Sequence, residues 1–219
     1  MDTPKFSWKE AVAFGWDTMK ANLWFFVGLL AAATLIKFIP SQLAEMVKKD
    51  NFTLYIIFTV VSVFFGILID MGLLRTSLKM CSNEKGDIFD LFNCYPLFFK
   101  YLFAWIIYTL ICIAGFLLLI VPGVIWSVQF GLFGYFMIDK GLGPIEALKE
   151  SSRITKGSKG DLFVFYIICV GINILGVLAL ILGLFAAIPT TMIAAAFVYR
   201  KLAGVVIPNQ ANLTAEIQK

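Results

Sequence analysis

Few side chains in this sequence of 219 residues could carry acid–base or metal chemistry. Histidine is absent, so proton transfer near neutral pH would fall to carboxylates or to a lysine of altered pKa. The four cysteines are Cys81, Cys94, Cys112 and Cys169. None forms a CxxC pair, and without histidine their spacing suits no zinc site. Reduced or buried thiols are expected. No serine elbow, phosphate loop or metal-ligand cluster occurs. The residue inventory thus argues against an enzyme, and no cofactor is expected.

Four polar residues stand out by their place within or beside apolar runs: Asp70, Arg75, Gln129 and Asn173. An acid inside a membrane is costly and points to function. Asp70 is read as snorkelling to the interface, or pairing with Arg75 or another inner-face base; a proton or cation site is the sharper alternative. Gln129 and Asn173 are neutral and costly to leave unpaired in lipid. Bonding between helices explains them, and a polar cavity is the alternative. Gly28 with Ala32, the Ala194–Ala196 run, Gly171, Gly176 and Gly183 offer small surfaces for close helix approach.

The elements that must position these residues are apolar. Hydrophobic residues make up 60% of the chain and charged ones 15%, against about 25% charged in soluble domains. Several apolar runs exceed the ~18 residues that cross a bilayer core. Met1–Lys20 contains Glu10 and Asp17 and no compact apolar core, so a retained first span is expected, not a cleavable signal. Six spans are predicted: 22–39, closed by Pro40; 52–74, with a helical extension through Arg75 and Lys79; 97–121; 124–138; 162–187; and 189–202. A sharp reversal is placed at Pro122-Gly123, because one helix of this length would be two membranes long. Residues 41–51 read as a polar loop.

Short amphipathic helices precede three of these spans. Ser7 and Glu10 read as a capping box, opening a helix with Trp8, Val12, Gly15, Trp16 and Met19 on one face. Asp87 is expected to cap a second, with Ile88, Leu91, Phe92 and Tyr95 on one face. Gly143–Gly160 is the clearest. Pro144 suits its first position and Gly157 the residue past its end, and Glu146/Lys149 and Glu150/Arg153 form i,i+3 pairs. Ile145, Leu148 and Ser152 share its other face. In each unit an acid precedes a lysine by ten residues: Glu10/Lys20, Asp90/Lys100 and Glu146/Lys156.

Lys37, Lys48 and Lys49 fall on one side of this topology and the other 15 of the 18 basic residues on the side of both termini. The positive-inside rule makes that side cytoplasmic. Lys149, Arg153, Lys156 and Lys159 then face the anionic inner leaflet, where each base is worth about 1 kcal/mol.

Leu118-Leu-Ile-Val-Pro-Gly-Val-Ile-Trp126, Asp139, Pro144-Ile-Glu-Ala-Leu148, Ser152-Arg-Ile-Thr-Lys-Gly157, Pro189 and Tyr199-Arg-Lys-Leu202 follow in an order that resembles a broad group of bacterial and archaeal integral membrane proteins of unknown function. That group is similar to the membrane domain attached to some glycerophosphodiester phosphodiesterases. The resemblance covers mainly Leu97–Leu202. It implies fold and location; the phosphodiesterase chemistry belongs to a separate soluble domain, whose histidines and metal-binding acids this chain lacks.

The expected fold is all-α: one polytopic membrane domain over residues 1–203, six transmembrane helices as three hairpins (units 7–80, 87–138 and 143–202), each preceded by a cytoplasmic-side amphipathic helix. A polar cytoplasmic tail covers 204–219. The expected location is the cytoplasmic membrane, multi-pass, with both termini inside. The expected role is non-enzymatic, lipid-interacting or scaffolding. Membrane lipids are the expected partners, with a protein docking on the cytoplasmic face also open and nucleic acid excluded by the absence of a basic arm. The alternative is a small transporter or channel with a polar path near Asp70, Gln129 and Asn173.

Overall fold

A computed structural model describes residues 6–179, 183–205 and 207. Over these residues the chain is all-helical: α1 Trp8–Ala21, α2 Leu23–Val47, α3 Phe52–Cys81, α4 Phe98–Leu118, α5 Ile120–Phe130, α6 Phe133–Lys140, α7 Pro144–Ile154, α8 Lys159–Leu178 and α9 Leu184–Leu202. Five stretches, Leu23–Val47, Phe52–Cys81, Ile88–Leu118, Ile120–Lys140 and Lys159–Leu178, are long and apolar enough to cross a membrane. That fits a multi-pass membrane protein. Helix α9 is not among the five, and more than half of its residues are buried by its neighbours. Most of the polar tail, including 208–219, lies outside the described residues.

Consecutive long helices pack together, α2 along α3, α4 along α5 and α8 along α9. The short connection at 48–51 and the break at Leu119 lie at one end of the bundle, here the far end. At the opposite base end, α1, α6, α7, the last turns of α3 and the second half of α9 form the core. There Met19, Phe136, Phe165, Phe197 and Tyr199 are almost wholly buried. Tyr199 stacks on Tyr135 at 5.3 Å between ring centroids. At the far end Leu117 is 83% exposed and Ile120 73%.

Several expected boundaries move. Pro40 does not close the first long helix; α2 runs through it to Val47. Residues 41–47 are therefore helical, and only 48–51 connect α2 to α3. Pro189 likewise lies inside α9, which begins five residues earlier at Leu184. Pro removes one helical N–H, but membrane helices tolerate it when side-chain hydroxyls serve nearby backbone groups. Ser41 Oγ donates to the Phe38 carbonyl at 2.8 Å, and Thr190 Oγ1 to the Ala186 carbonyl at 2.7 Å. The reversal expected at Pro122-Gly123 occurs at Leu119, whose backbone is extended; Pro122 then sits in the first turn of α5, where its missing N–H costs nothing. The expected fourth span divides into α5 and α6.

Helix α1 starts where the sequence places it, but the Ser7 side chain caps nothing. Its face also divides. Ala11, Gly15 and Met19 are buried, while Trp8 and Trp16 are exposed. The buried residues pack on α9, where a Cβ on Gly15 would strike the Thr190 carbonyl. Glu10 and Lys201 approach to 3.5 Å across the same contact. The second expected short helix is two 3-10 turns, Ile88–Leu91 and Tyr95–Leu97. Asp87 does cap the first, accepting the Phe89 N–H at 3.1 Å, but Ile88 and Tyr95 are exposed and only Leu91 is buried there as expected. The second unit therefore departs in local structure from the first and third, which both open with a short α-helix.

Candidate functional site

Asp70 sits on α3 about 27 Å along its axis from Phe52 at 1.5 Å per residue. Its partner is Lys37 of α2, with Nζ 2.5 Å from Oδ1. Arg75 is not that partner: its Nε lies 3.7 Å from Asp90, and Lys79 Nζ is 2.6 Å from the same carboxylate. Asp90 is wholly buried and also accepts the Asp87 N–H at 2.9 Å. Lys37, sorted with the outer lysines by sequence, thus reaches across to an exposed acid on α3. The ion pair it forms is partly exposed, with 39% of the lysine side chain and 58% of the aspartate side chain open.

Asp70 lines a cavity of about 550 Å³ between α3, α4, α8 and α9, with Tyr101, Tyr166, Cys169, Asn173 and Thr191 among its walls. Asn173 Nδ2 donates to the Cys169 carbonyl at 2.8 Å and to Thr191 Oγ1 at 3.2 Å. The bonding between helices expected of Asn173 is present, and so is a cavity beside it.

Gln129 lies elsewhere. Its Nε2 donates to Ser152 Oγ at 2.6 Å, and its Oε1 accepts from Lys159 Nζ at 2.5 Å. Its carbonyl accepts from Ser151 Oγ at 2.9 Å and Thr155 Oγ1 at 3.2 Å. This knot ties the end of α5 to α7 and to the start of α8. It exists because α7 turns Ala147, Leu148 and Ser151 inward. The buried face is therefore offset from the one expected: Ile145 is 56% exposed and Ser152 is half-buried. Gly157 takes φ +92, the left-handed turn its position asked for.

Of the four bases on this segment, Arg153 pairs with Glu150 at 2.6 Å. That hydrogen bond holds the Glu150 carboxyl below its usual range and raises the Arg153 guanidinium. Glu146 does not pair with Lys149; its carboxylate accepts the Gly143 N–H at 3.3 Å. Lys149 and Lys156 are exposed. Lys159 is half-buried against Gln129, and no carboxylate lies within 4 Å of it among the described residues.

Two further cavities open between α5 and α8, of about 440 Å³ and 380 Å³; Tyr108, Ser127 and Tyr166 also line the larger, and the smaller is apolar except for Lys159. They share Val124, Val128 and Phe163. The sequence reading missed this groove, because its walls are ordinary apolar span residues. The four cysteines are free thiols, and no group of three acids or cysteines among the described residues could hold a metal.

Compared with protein-family models, curated proteins and solved structures, the chain matches none. The arrangement can be argued only from its own geometry. It offers a half-open ion pair beside a mainly apolar cavity that Asn173 and Thr191 also line, an apolar groove with a lysine near it, and a base end knitted by paired charges.

Proposed function

We propose that this chain is a non-enzymatic, lipid-interacting protein of the cytoplasmic membrane. Its six long helices, α9 included, cross as three hairpins with both termini inside, and the amphipathic α1 and α7 line the cytoplasmic end. The resemblance over Leu97–Leu202 agrees with that placement. One observation carries the reading: the polar groups of the bundle are bonded to each other, while the groove between α5 and α8 beside Lys159 is left apolar. Gln129 is held by Ser152 and Lys159, Asn173 by Thr191 and Asp70 by Lys37. What faces outward between α5 and α8 is aliphatic, and an apolar groove at membrane depth is filled by acyl chains. Lys149 and Lys156 on the cytoplasmic rim add attraction for anionic headgroups, and the same exposed face is open to a soluble protein partner.

A second reading, a small transporter or channel, is favoured by one observation: Asp70 and Asn173 line the same cavity. Gln129 is not on that path.

A single reconstitution separates the two. The full chain is placed in vesicles of phosphatidylglycerol and phosphatidylcholine loaded with a pH-sensitive dye. Replacing Lys149, Arg153, Lys156 and Lys159 by Gln should reduce co-purified phosphatidylglycerol several-fold, with no proton flux in either protein. Unchanged phosphatidylglycerol would sink the lipid reading. A proton flux abolished by Asp70→Asn would put the transporter in its place.

A further inference from the structure

We infer that the α5–α8 groove is a site for one anionic glycerophospholipid, with an acyl chain along Val124, Val128 and Phe163 and the headgroup phosphate on Lys159. This rests on the lipid-interacting reading and makes it specific to one place. Two independent features meet there. The first is shape and polarity. The groove is walled by Ile120, Val121, Val124, Ile125 and Val128 of α5 and by Phe163 of α8, and Lys159 and Gly160 line its α8 start. Its two cavities, about 440 Å³ and 380 Å³, fall within the ~300–1,000 Å³ of ligand sites. The smaller cavity, the one Lys159 lines, is nearly free of polar surface, so water gains little there and a hydrocarbon chain gains contact along its wall.

The second feature is charge. Most bases at this end that hold a fixed contact hold it with an acid: Lys79 with Asp90, Arg200 with Asp139, Lys201 with Glu10, Arg153 with Glu150. Lys159 is held just as firmly, but by a neutral amide oxygen. Gln129 is fixed in turn by Ser152, so the ammonium is positioned while its charge stays uncompensated. A Lys ammonium has three donors, and Gln129 takes one. A half-buried, positioned cation beside an apolar groove calls for an anion with an apolar tail. Room for the headgroup is present next to it: a Cβ built on Gly160 meets nothing within 4 Å.

The vacancy at Gly160 supplies the test. Gly160→Leu places a side chain in the groove without touching backbone, in a helix that favours Leu over Gly. Lys159→Gln removes the charge and keeps a hydrogen-bonding side chain. Native mass spectrometry of the full chain in detergent, titrated with phosphatidylglycerol and phosphatidylcholine of identical acyl chains, reads both. Wild type should bind one phosphatidylglycerol in preference to phosphatidylcholine. Lys159→Gln should cut that preference about fivefold, and Lys159→Arg should restore it. Gly160→Leu should weaken both lipids alike, and Lys49→Gln, exposed in the far-end connection, should change neither. If wild type prefers phosphatidylglycerol and neither Lys159→Gln nor Gly160→Leu alters it, the site is wrong while the lipid reading stands. If wild type binds no lipid above the detergent background, both are wrong. A matched gel-filtration profile and melting temperature identify a variant that has merely misfolded; for such a variant, protection of Phe163→Cys from a membrane-soluble maleimide by phosphatidylglycerol gives the second readout, and no protection overturns the site.

Discussion

The base end and the far end of this bundle follow different rules. At the base, α3, α6, α7 and α9 enclose Phe136, Phe197 and Tyr199 as tightly as a soluble core, and charges are paired: Asp90 with Lys79 and Asp139 with Arg200. At the far end α4, α5 and α8 expose Leu117, Ile120 and Leu178. In water that surface would drive aggregation; in lipid it costs nothing, because acyl chains are as apolar as leucine. The difference locates the source of specificity. Burial and pairing at the base fix how the helices assemble, and the far end needs only to be apolar.

The largest test of that comparison is Asp90. Its carboxylate is buried between Lys79 and Arg75. Asp90→Ala leaves two bases without their acid, and breaking such a pair costs about 3 kcal/mol when the partners retain some solvent. Thermal unfolding in detergent, followed by tryptophan fluorescence, should show the loss as a melting point lower by several degrees. A shift within error would mean that the 3-10 turn Ile88–Leu91 is not tied down by this cluster.

A sharper version compares two glycines on one helix. Gly72 faces the base, and a Cβ there would strike the Leu91 backbone; Gly66, nearly two turns toward the far end, faces open space. Gly72→Ala forces α3 and the 88–91 turn apart and should destabilise by ~1–3 kcal/mol. Gly66→Ala should be neutral or stabilise by up to ~1 kcal/mol through helix propensity. Equal melting shifts for the two variants would erase the distinction between the ends.

Much of the far end was legible in sequence, because span length and apolarity are one-dimensional signals. A polar connection before Phe52 could be read directly, though only 48–51 of the expected 41–51 form it. At the base end the start of α7 at Pro144 and the turn at Gly157 were also legible, but the contacts there were not, because they join distant residues. Asp70 was read as snorkelling, or as pairing with Arg75 or another inner-face base, yet its partner is Lys37, 33 residues away. Pro40 and Pro189 read as helix ends by rules learned in water, yet both helices continue through them, as membrane helices can. Small residues proved ambiguous in the same way. Ala194, Ala196 and Gly176 are close-packed, but Gly28 and Gly171 face open space. The small pair Ala11 and Gly15, four apart on α1, was the available sign that α1 packs into the bundle; its tryptophans drew attention to the other face. Gln129 was seen as a polar residue in a span, but its tie to Lys159 depends on α7 folding back.

The smallest effect lies on the wet rim of the base end, where aqueous rules should hold. Glu150 and Arg153 form an i,i+3 pair whose side chains are 33% and 70% exposed. Solvent screening limits such a pair to about 0.3 kcal/mol. Because the hydrogen bond from Arg153 lowers the Glu150 pKa, the pair's contribution is fully present above the carboxyl's unfolded value, about 4.3. It disappears as pH falls through the lower, folded value. Glu150→Gln should therefore lower the melting point by less than a degree at pH 7 and not at all near pH 3. A much larger loss at pH 7, on the scale expected for Asp90→Ala, would mean that the rim is built like the buried base.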